Sequence, residues 1–233
     1  MKMFSKISFF MALFFFFSGF FISAQEIITA ERYLEIVSEH YANIRDYEAQ
    51  VIIRSGTAPE MAGNLSYLDP FFMRIDFTNP AEQVMVFNGE TLTIYLPDLR
   101  ATLNQTVPPA RRLSTVGASM ASAQGLQLLR RGYVAAFLVG PEPVPLDERD
   151  REPVIKLRLT RRLSSEGFRE IILSINPQTQ IIRRIEGRTI ADALVRFDFL
   201  NVRTNVGIPE QRFAYNPPPT ANLYNNFLFR DVD

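Results

Sequence analysis

Apolar residues recur every three or four positions over residues 30–44, at Tyr33, Leu34, Val37, Tyr41 and Ile44. That spacing draws one stripe along a helix, and Thr29 supplies an N-cap oxygen. His40 falls off the stripe beside Glu39, as a solvated surface histidine does. From Tyr47 to Gln105 the period changes to two. The alternation predicts strands over residues 48–54, 63–69, 72–78, 83–87, 91–96 and 101–105. Pro70, Pro80 and Pro97 fall between the runs, where a missing N–H costs no ladder hydrogen bond. Asn88-Gly89 predicts a type I′ hairpin turn. Connections this short give antiparallel neighbours, hence a meander. The alternation also assigns faces. Leu65 and Tyr67 share one; Met73, Ile75 and Phe77 share one opposite Arg74 and Asp76; Leu92, Ile94 and Leu96 share one opposite Thr91 and Thr93. One face of the sheet is apolar and the other polar, as expected when a single side is covered.

Pro108-Pro109 ends this meander. Residues 118–139 are helix-compatible, with Leu126, Leu129, Tyr133 and Phe137 near helical spacing, and Gly125, Gly132 and Gly140 interrupt them. The charged stretch 147–152 is read as a solvated loop rather than an acid/base pair or cation site. Strands resume over residues 154–163, 168–175, 181–188 and 193–202, linked by turns at 164–167 and 176–180. Residues 213–215 predict a short last strand, while 223–230 fit either a strand or a helix. The total is ten or eleven strands, an N-terminal helix and a helical insert. The fold class is mainly β (α+β), a large curved antiparallel sheet with helices on one face.

The first 24 residues change the reading of composition. Lys2 and Lys6 precede an apolar run over residues 7–22, and Ser23-Ala24 offers a cleavage site. This is the layout of a secretory signal peptide. Sixteen residues fall short of the roughly 20 that span a bilayer. Cleavage after Ala24 would leave residues 25–233 as a single domain. Nine of the 20 phenylalanines lie in the leader. Of 25 basic residues two lie there, so the remainder carries 23 against 25 acidic ones, a net charge near −2. A near-neutral chain argues against nucleic acid as a partner. An exported chain with no cysteine suits a bacterial periplasm.

Chemistry-bearing residues are scarce. There is no cysteine and one histidine, which removes thiolate sites and most metal and triad arrangements. No phosphate-binding glycine loop, zinc-protease helix or serine elbow occurs. No cofactor and no enzymatic activity are expected. What remains is an unusual amount of apolar surface on one sheet face, the raw material of a cavity.

The stretch from Gly63 to Gln105 resembles the periplasmic outer-membrane lipoprotein carriers of the LolA type. The residues that carry the resemblance are Pro70, Met73-Arg74-Ile75-Asp76-Phe77, Pro80, Gln83-Val84-Met85-Val86, Asn88-Gly89 and Tyr95-Leu96-Pro97-Asp98-Leu99, with Ile208-Pro209, Phe213 and Pro217-Pro218 later. The resemblance implies a half-open antiparallel barrel closed by helices, with acyl chains held between barrel and lid. It implies a lipoprotein or related lipid as cargo, an inner-membrane exporter complex and possibly an outer-membrane acceptor as partners, and a monomer in the periplasm. Three acyl chains hold on the order of 45 methylenes, and at about 0.8 kcal/mol each their exposure would cost tens of kcal/mol. The residues expected to line the acyl site are Leu65, Tyr67, Met73, Ile75, Phe77, Ile94, Leu126, Leu129, Phe197 and Phe199. Two departures stand out. Asp69 occupies the place of a basic residue that helps latch the family's lid, so that latch role is not carried over; Arg54 and Arg74 are read as outward-facing solvated arginines before they are read as substitutes. The insert, with Arg111-Arg112 and Arg130-Arg131, is longer than usual. Two other readings stay open: a same-fold sensor that binds lipidated or unfolded envelope proteins, and a structural domain with a packed interior.

Overall fold

The computed structural model describes residues 28–108 and 121–227. The expected leader, Arg111-Arg112, the start of the insert and residues 228–230 lie outside the described residues. Helix α1 (Ala30–Tyr41) begins at Thr29, whose Oγ1 accepts from the Arg32 N–H at 3.1 Å. It stops one turn short of the expected end, but Ile44 is buried all the same. Strands β1 (Asp46–Ser55), β2 (Met61–Leu68), β3 (Phe72–Asn79), β4 (Ala81–Phe87), β5 (Thr91–Leu96) and β6 (Ala101–Thr106) follow as the antiparallel meander. Next come α2 (Ala123–Gly132), β7 (Tyr133–Phe137) and the two-residue β8 (Val144–Pro145). The chain then runs through β9 (Pro153–Arg161), β10 (Phe168–Ile175), β11 (Ile182–Thr189), β12 (Leu194–Thr204) and β13 (Asn222–Asn225).

These strands form one open, curved sheet in the order β13-β6-β5-β4-β3-β2-β1-β12-β11-β10-β9-β7, with β8 beside β9. All neighbours are antiparallel except β13 and β6, which run parallel. The architecture agrees with the expected mainly β class. The strand count exceeds the expected ten or eleven because three short strands add to it.

Five local expectations are corrected or refined. The insert is not an interrupted helix to residue 139: Ser122 caps a ten-residue helix, and Tyr133 and Phe137 lie on strand β7. Gly125 sits in the first turn, where its N–H donates to Ser122 Oγ at 3.0 Å, and Gly132 is the last helical residue. Neither interrupts the helix interior. At Asn88-Gly89 only the glycine has positive φ, +90°, so the turn is not type I′. Asn88 Oδ1 instead accepts from the N–H groups of Glu90 and Thr91, at 3.1 and 2.8 Å. Residues 213–215 form no strand; Glu210–Phe213 is a 3₁₀ turn.

The fourth correction concerns the outer face, which is not uniformly polar and solvated. Val84 and Val86 of β4 point outward and are buried with Ile208 and Phe213 in a second apolar cluster. Arg74 lies under the same C-terminal segment, donating to the Arg212 carbonyl at 3.1 Å and to Asp76 at 2.8 Å. Arg212 also pairs with Asp76. Burial pushes the Asp76 carboxyl up, but the two guanidiniums outweigh it and hold the group below its ordinary range.

The fifth refines the charged stretch 147–152: it is a loop with exposed residues, as expected, and ion pairs also pin it to the sheet. Asp147 receives Arg184 at 2.9 Å, and Glu152 receives Arg183 at 2.6 Å. Arg184 in turn pairs with Asp198, which also receives Arg54 at 2.7 Å.

Where β2 crosses β3 the backbones touch. A Cβ on Gly63 would lie 2.6 Å from the Asp76 carbonyl oxygen and 2.9 Å from Phe77 Cα. Both are main-chain atoms of a paired strand and cannot swing aside. Gly63→Ala is therefore expected to lose about 1–3 kcal/mol of stability through overpacking. Urea unfolding would measure it, and an unchanged midpoint would contradict the close approach.

Candidate functional site

The inner face of the sheet and the two helices share one apolar interior. The strand period explains its register. Leu65 lies opposite Ala49 and Ile75; Tyr67 opposite Tyr47 and Met73; Phe197 opposite Ile53 and Ile185; Phe199 opposite Val51. All ten residues expected at the acyl site fall in this interior. Leu65, Tyr67, Met73, Ile75, Phe77, Leu126, Leu129 and Phe199 are buried, and Ile94 and Phe197 are partly buried against them. Both helices present amphipathic stripes to the same interior, α1 through Tyr33, Leu34, Val37 and Tyr41, α2 through Leu126 and Leu129.

The expected list left out most of the interior. Leu157 and Leu159 of β9, Leu173 and Ile175 of β10, and Ile185 of β11 are fully buried there. Their alternation was visible, but nothing in the resembling stretch pointed to them. Five tyrosines were also missed as a group. Tyr33, Tyr41, Tyr47, Tyr67 and Tyr133 are buried in this cluster, with Tyr47 and Tyr67 stacked at 5.1 Å between centroids. Burial raises all five phenol pKa values, that of Tyr33 to about 12, so the interior carries no phenolate at neutral pH. Three hydroxyls have partners. Tyr41 accepts from the Ile182 N–H at 3.0 Å, Tyr133 donates to the Phe168 carbonyl at 3.1 Å, and Tyr67 contacts Gln124 Oε1 at 3.1 Å. The Tyr33 hydroxyl is buried without a partner among the described residues.

Among the described residues, polar contacts tie the helices to the sheet at a few points. Gln124 at the start of α2 donates to Asp69 Oδ1 at 2.7 Å while its Oε1 meets Tyr67. Asp69, which lacks the family's positive charge, thus still contacts the helix end. Arg54 and Arg74 do not replace it, since both are paired on the outer face. Arg130 of α2 joins Glu35 of α1 at 2.6 Å, and Arg32 reaches the same carboxylate at 2.6 Å. These two guanidiniums hold the Glu35 carboxyl below its ordinary range.

Between α1, the end of α2 and β7 a groove of about 370 Å³ opens. Leu34, Tyr133 and Ala135 form its apolar floor, and Arg32, Arg130 and Arg162 stand on its walls. His40 is half-buried on α1, and burial pushes its imidazole pKa down. Among the described residues no three acidic or histidine side chains converge as for a metal ion, and no helix is long and apolar enough to cross a membrane.

No family model matches the chain. The outer-membrane lipoprotein carrier protein of Bordetella avium (strain 197N) is 25% identical over 168 residues, 72% of this chain and 72% of that protein. An uncharacterized conserved protein from Thermus thermophilus superposes with a TM-score of 0.52 at 13% identity, over 84% of this chain and 98% of that one. A chain of the Pseudomonas aeruginosa MucA/MucB complex gives 0.50 at 14% identity, over 80% of this chain and 61% of that one. The Mycobacterium tuberculosis lipoprotein LppX gives 0.50 at 10% identity, over 77% and 97%. At such identities the structural likenesses speak for the fold, and the carrier protein adds a likeness of sequence. In sequence the chain is similar to an outer-membrane lipoprotein carrier protein, and in fold to the three structures named.

Proposed function

We propose that this chain is a periplasmic carrier that shields the acyl chains of lipoproteins, or of a related lipid, and moves them from the inner towards the outer membrane. Residues 1–24 would be removed on export, leaving residues 25–233 as the carrier domain. The observation that carries the reading is the shared apolar interior: among the described residues two amphipathic helices pack on the inner sheet face and are fastened to it by a handful of polar contacts. Burying a methylene stabilises by about 0.8 kcal/mol, so acyl chains slid between sheet and helices gain what water denies them. Moving the helices apart must cost little enough for the cargo's differential affinity to repay it. The ten residues from Leu65 to Phe199 named above are the proposed lining. An exporter would hand over the cargo and an acceptor would take it.

A photocrosslinking residue at Ile75 or Leu129 is expected to label an acylated peptide, whereas one at Thr160, exposed on β9, is not. Equal labelling at all three positions would reject the interior as the site. The alternative, a module that binds an envelope protein as a regulator, predicts capture of unacylated protein as tight as that of the acylated form.

A further inference from the structure

We propose that the groove between α1 and the end of α2 receives the phosphate of an anionic lipid whose tails enter the apolar interior; the inference rests on the carrier reading and names a cargo class. The walls bring Arg32, Arg130 and Arg162 around one opening, with Glu31 and Glu35 as the acids of the lining. Glu35 is already neutralised by two guanidiniums at 2.6 Å. Arg162 spends only its Nε, on the uncharged Tyr133 carbonyl at 3.1 Å. Among the described residues neither Arg162 nor the neighbouring Arg131 has a carboxylate partner. Arg130 and Arg131 line a second hollow with Gln127. Glu166 lies against Gly132 and is not part of the groove lining. A planar guanidinium with free N–H groups matches a phosphate in a fork geometry.

The floor links this opening to the interior. Leu34, Tyr133 and Ala135 line the groove and belong to the main apolar cluster. One step further along the inward face of β7, Phe137 packs against Tyr33 at 6.3 Å between centroids. The Tyr33 hydroxyl there is buried, unpartnered and neutral. A buried donor without an acceptor costs free energy that a ligand carbonyl would recover. Phosphate at Arg162, ester carbonyl at Tyr33 and tails beyond is the order of groups in a glycerophospholipid.

The test uses the purified protein with vesicles of phosphatidylglycerol or of diacylglycerol with the same tails in a neutral carrier lipid. Uptake of phosphatidylglycerol is expected to exceed that of diacylglycerol by about tenfold, the scale of a charge-assisted hydrogen bond. In Arg162→Gln the two should fall within about twofold of each other, with an unchanged melting curve showing that the exposed substitution leaves the fold intact. Tyr33→Phe should weaken uptake of both esters. Diacylglycerol taken up as well as phosphatidylglycerol by the natural chain overturns the headgroup site and leaves the carrier reading standing. Inorganic phosphate competing as strongly as the lipid overturns the lipid as its source. Uptake of neither lipid, nor of an acylated peptide, overturns both readings together.

Discussion

Arg184→Met is expected to lower the free energy of unfolding by about 1.5–3 kcal/mol, because the buried Asp198 carboxylate loses one of its two guanidinium partners and keeps Arg54. The side chains of Arg184 and Asp198 are 9% and 10% exposed, and Asp147 closes the other side of the guanidinium. Substituting Asp198→Leu in the same background should restore part of the loss, because an apolar pair avoids the desolvation that the ion pair has to offset. The pH dependence has a defined sign. The backbone N–H of Asp150, Arg184 and the backbone N–H of Arg149 hold the Asp147 carboxyl below its ordinary range. A depressed carboxylate contributes stability above its unfolded pKa, near about 4, that is lost as the pH falls further. The acid limb of a stability profile should therefore be shallower in Arg184→Met. An unchanged melt in both variants would remove the ion chain as a support of the 146–152 loop.

Tethering α2 to the end of β2 is expected to reduce cargo uptake to background. The chain has no cysteine, so Asp69→Cys with Gln124→Cys places the only two thiols at the contact where Gln124 meets Asp69 at 2.7 Å. A short bifunctional maleimide would join them, and each single variant with the same reagent is the control. Loss of uptake in the doubly attached form alone would identify the α2 end as the part that moves. Uptake at the natural rate by the tethered form would show that acyl chains enter elsewhere.

The meander was legible because its apolar residues alternate over one covered face, and the same alternation placed Leu65, Tyr67, Met73, Ile75 and Phe77 inward. Strand β7 was not legible for a simple reason. Tyr133 and Phe137 are four residues apart, and positions i and i+4 share a face in both a helix and a strand. Pairing with β9, remote in sequence, decides between them. The outer cluster had a signal that was passed over. Val84, Met85, Val86 and Phe87 are apolar on both faces, the mark of a strand covered on two sides. The ion chain had none. Arg184 and Asp198 alternate like any solvated pair, and their partners Asp147 and Arg54 come from segments remote in sequence. Phe197 and Phe199 were legible as an inward face, but their neighbours on β11 depended on a register that no local pattern specifies.

The sheet's two halves meet along a single ladder, β1 against β12, with Arg54 and Asp198 bonded across 144 residues of chain. Such distant pairing makes closure late, because the loop entropy is lost before the contact is gained. A chain made from its N-terminus presents β1, with Val51, Ile52 and Ile53, long before residues 194–204 emerge to cover its edge. An uncovered apolar edge is a template for joining another chain. Truncation before β12 would consequently yield an aggregation-prone half-sheet rather than a smaller folded domain, and a folding helper would find its point of action on the unpaired edge of β1.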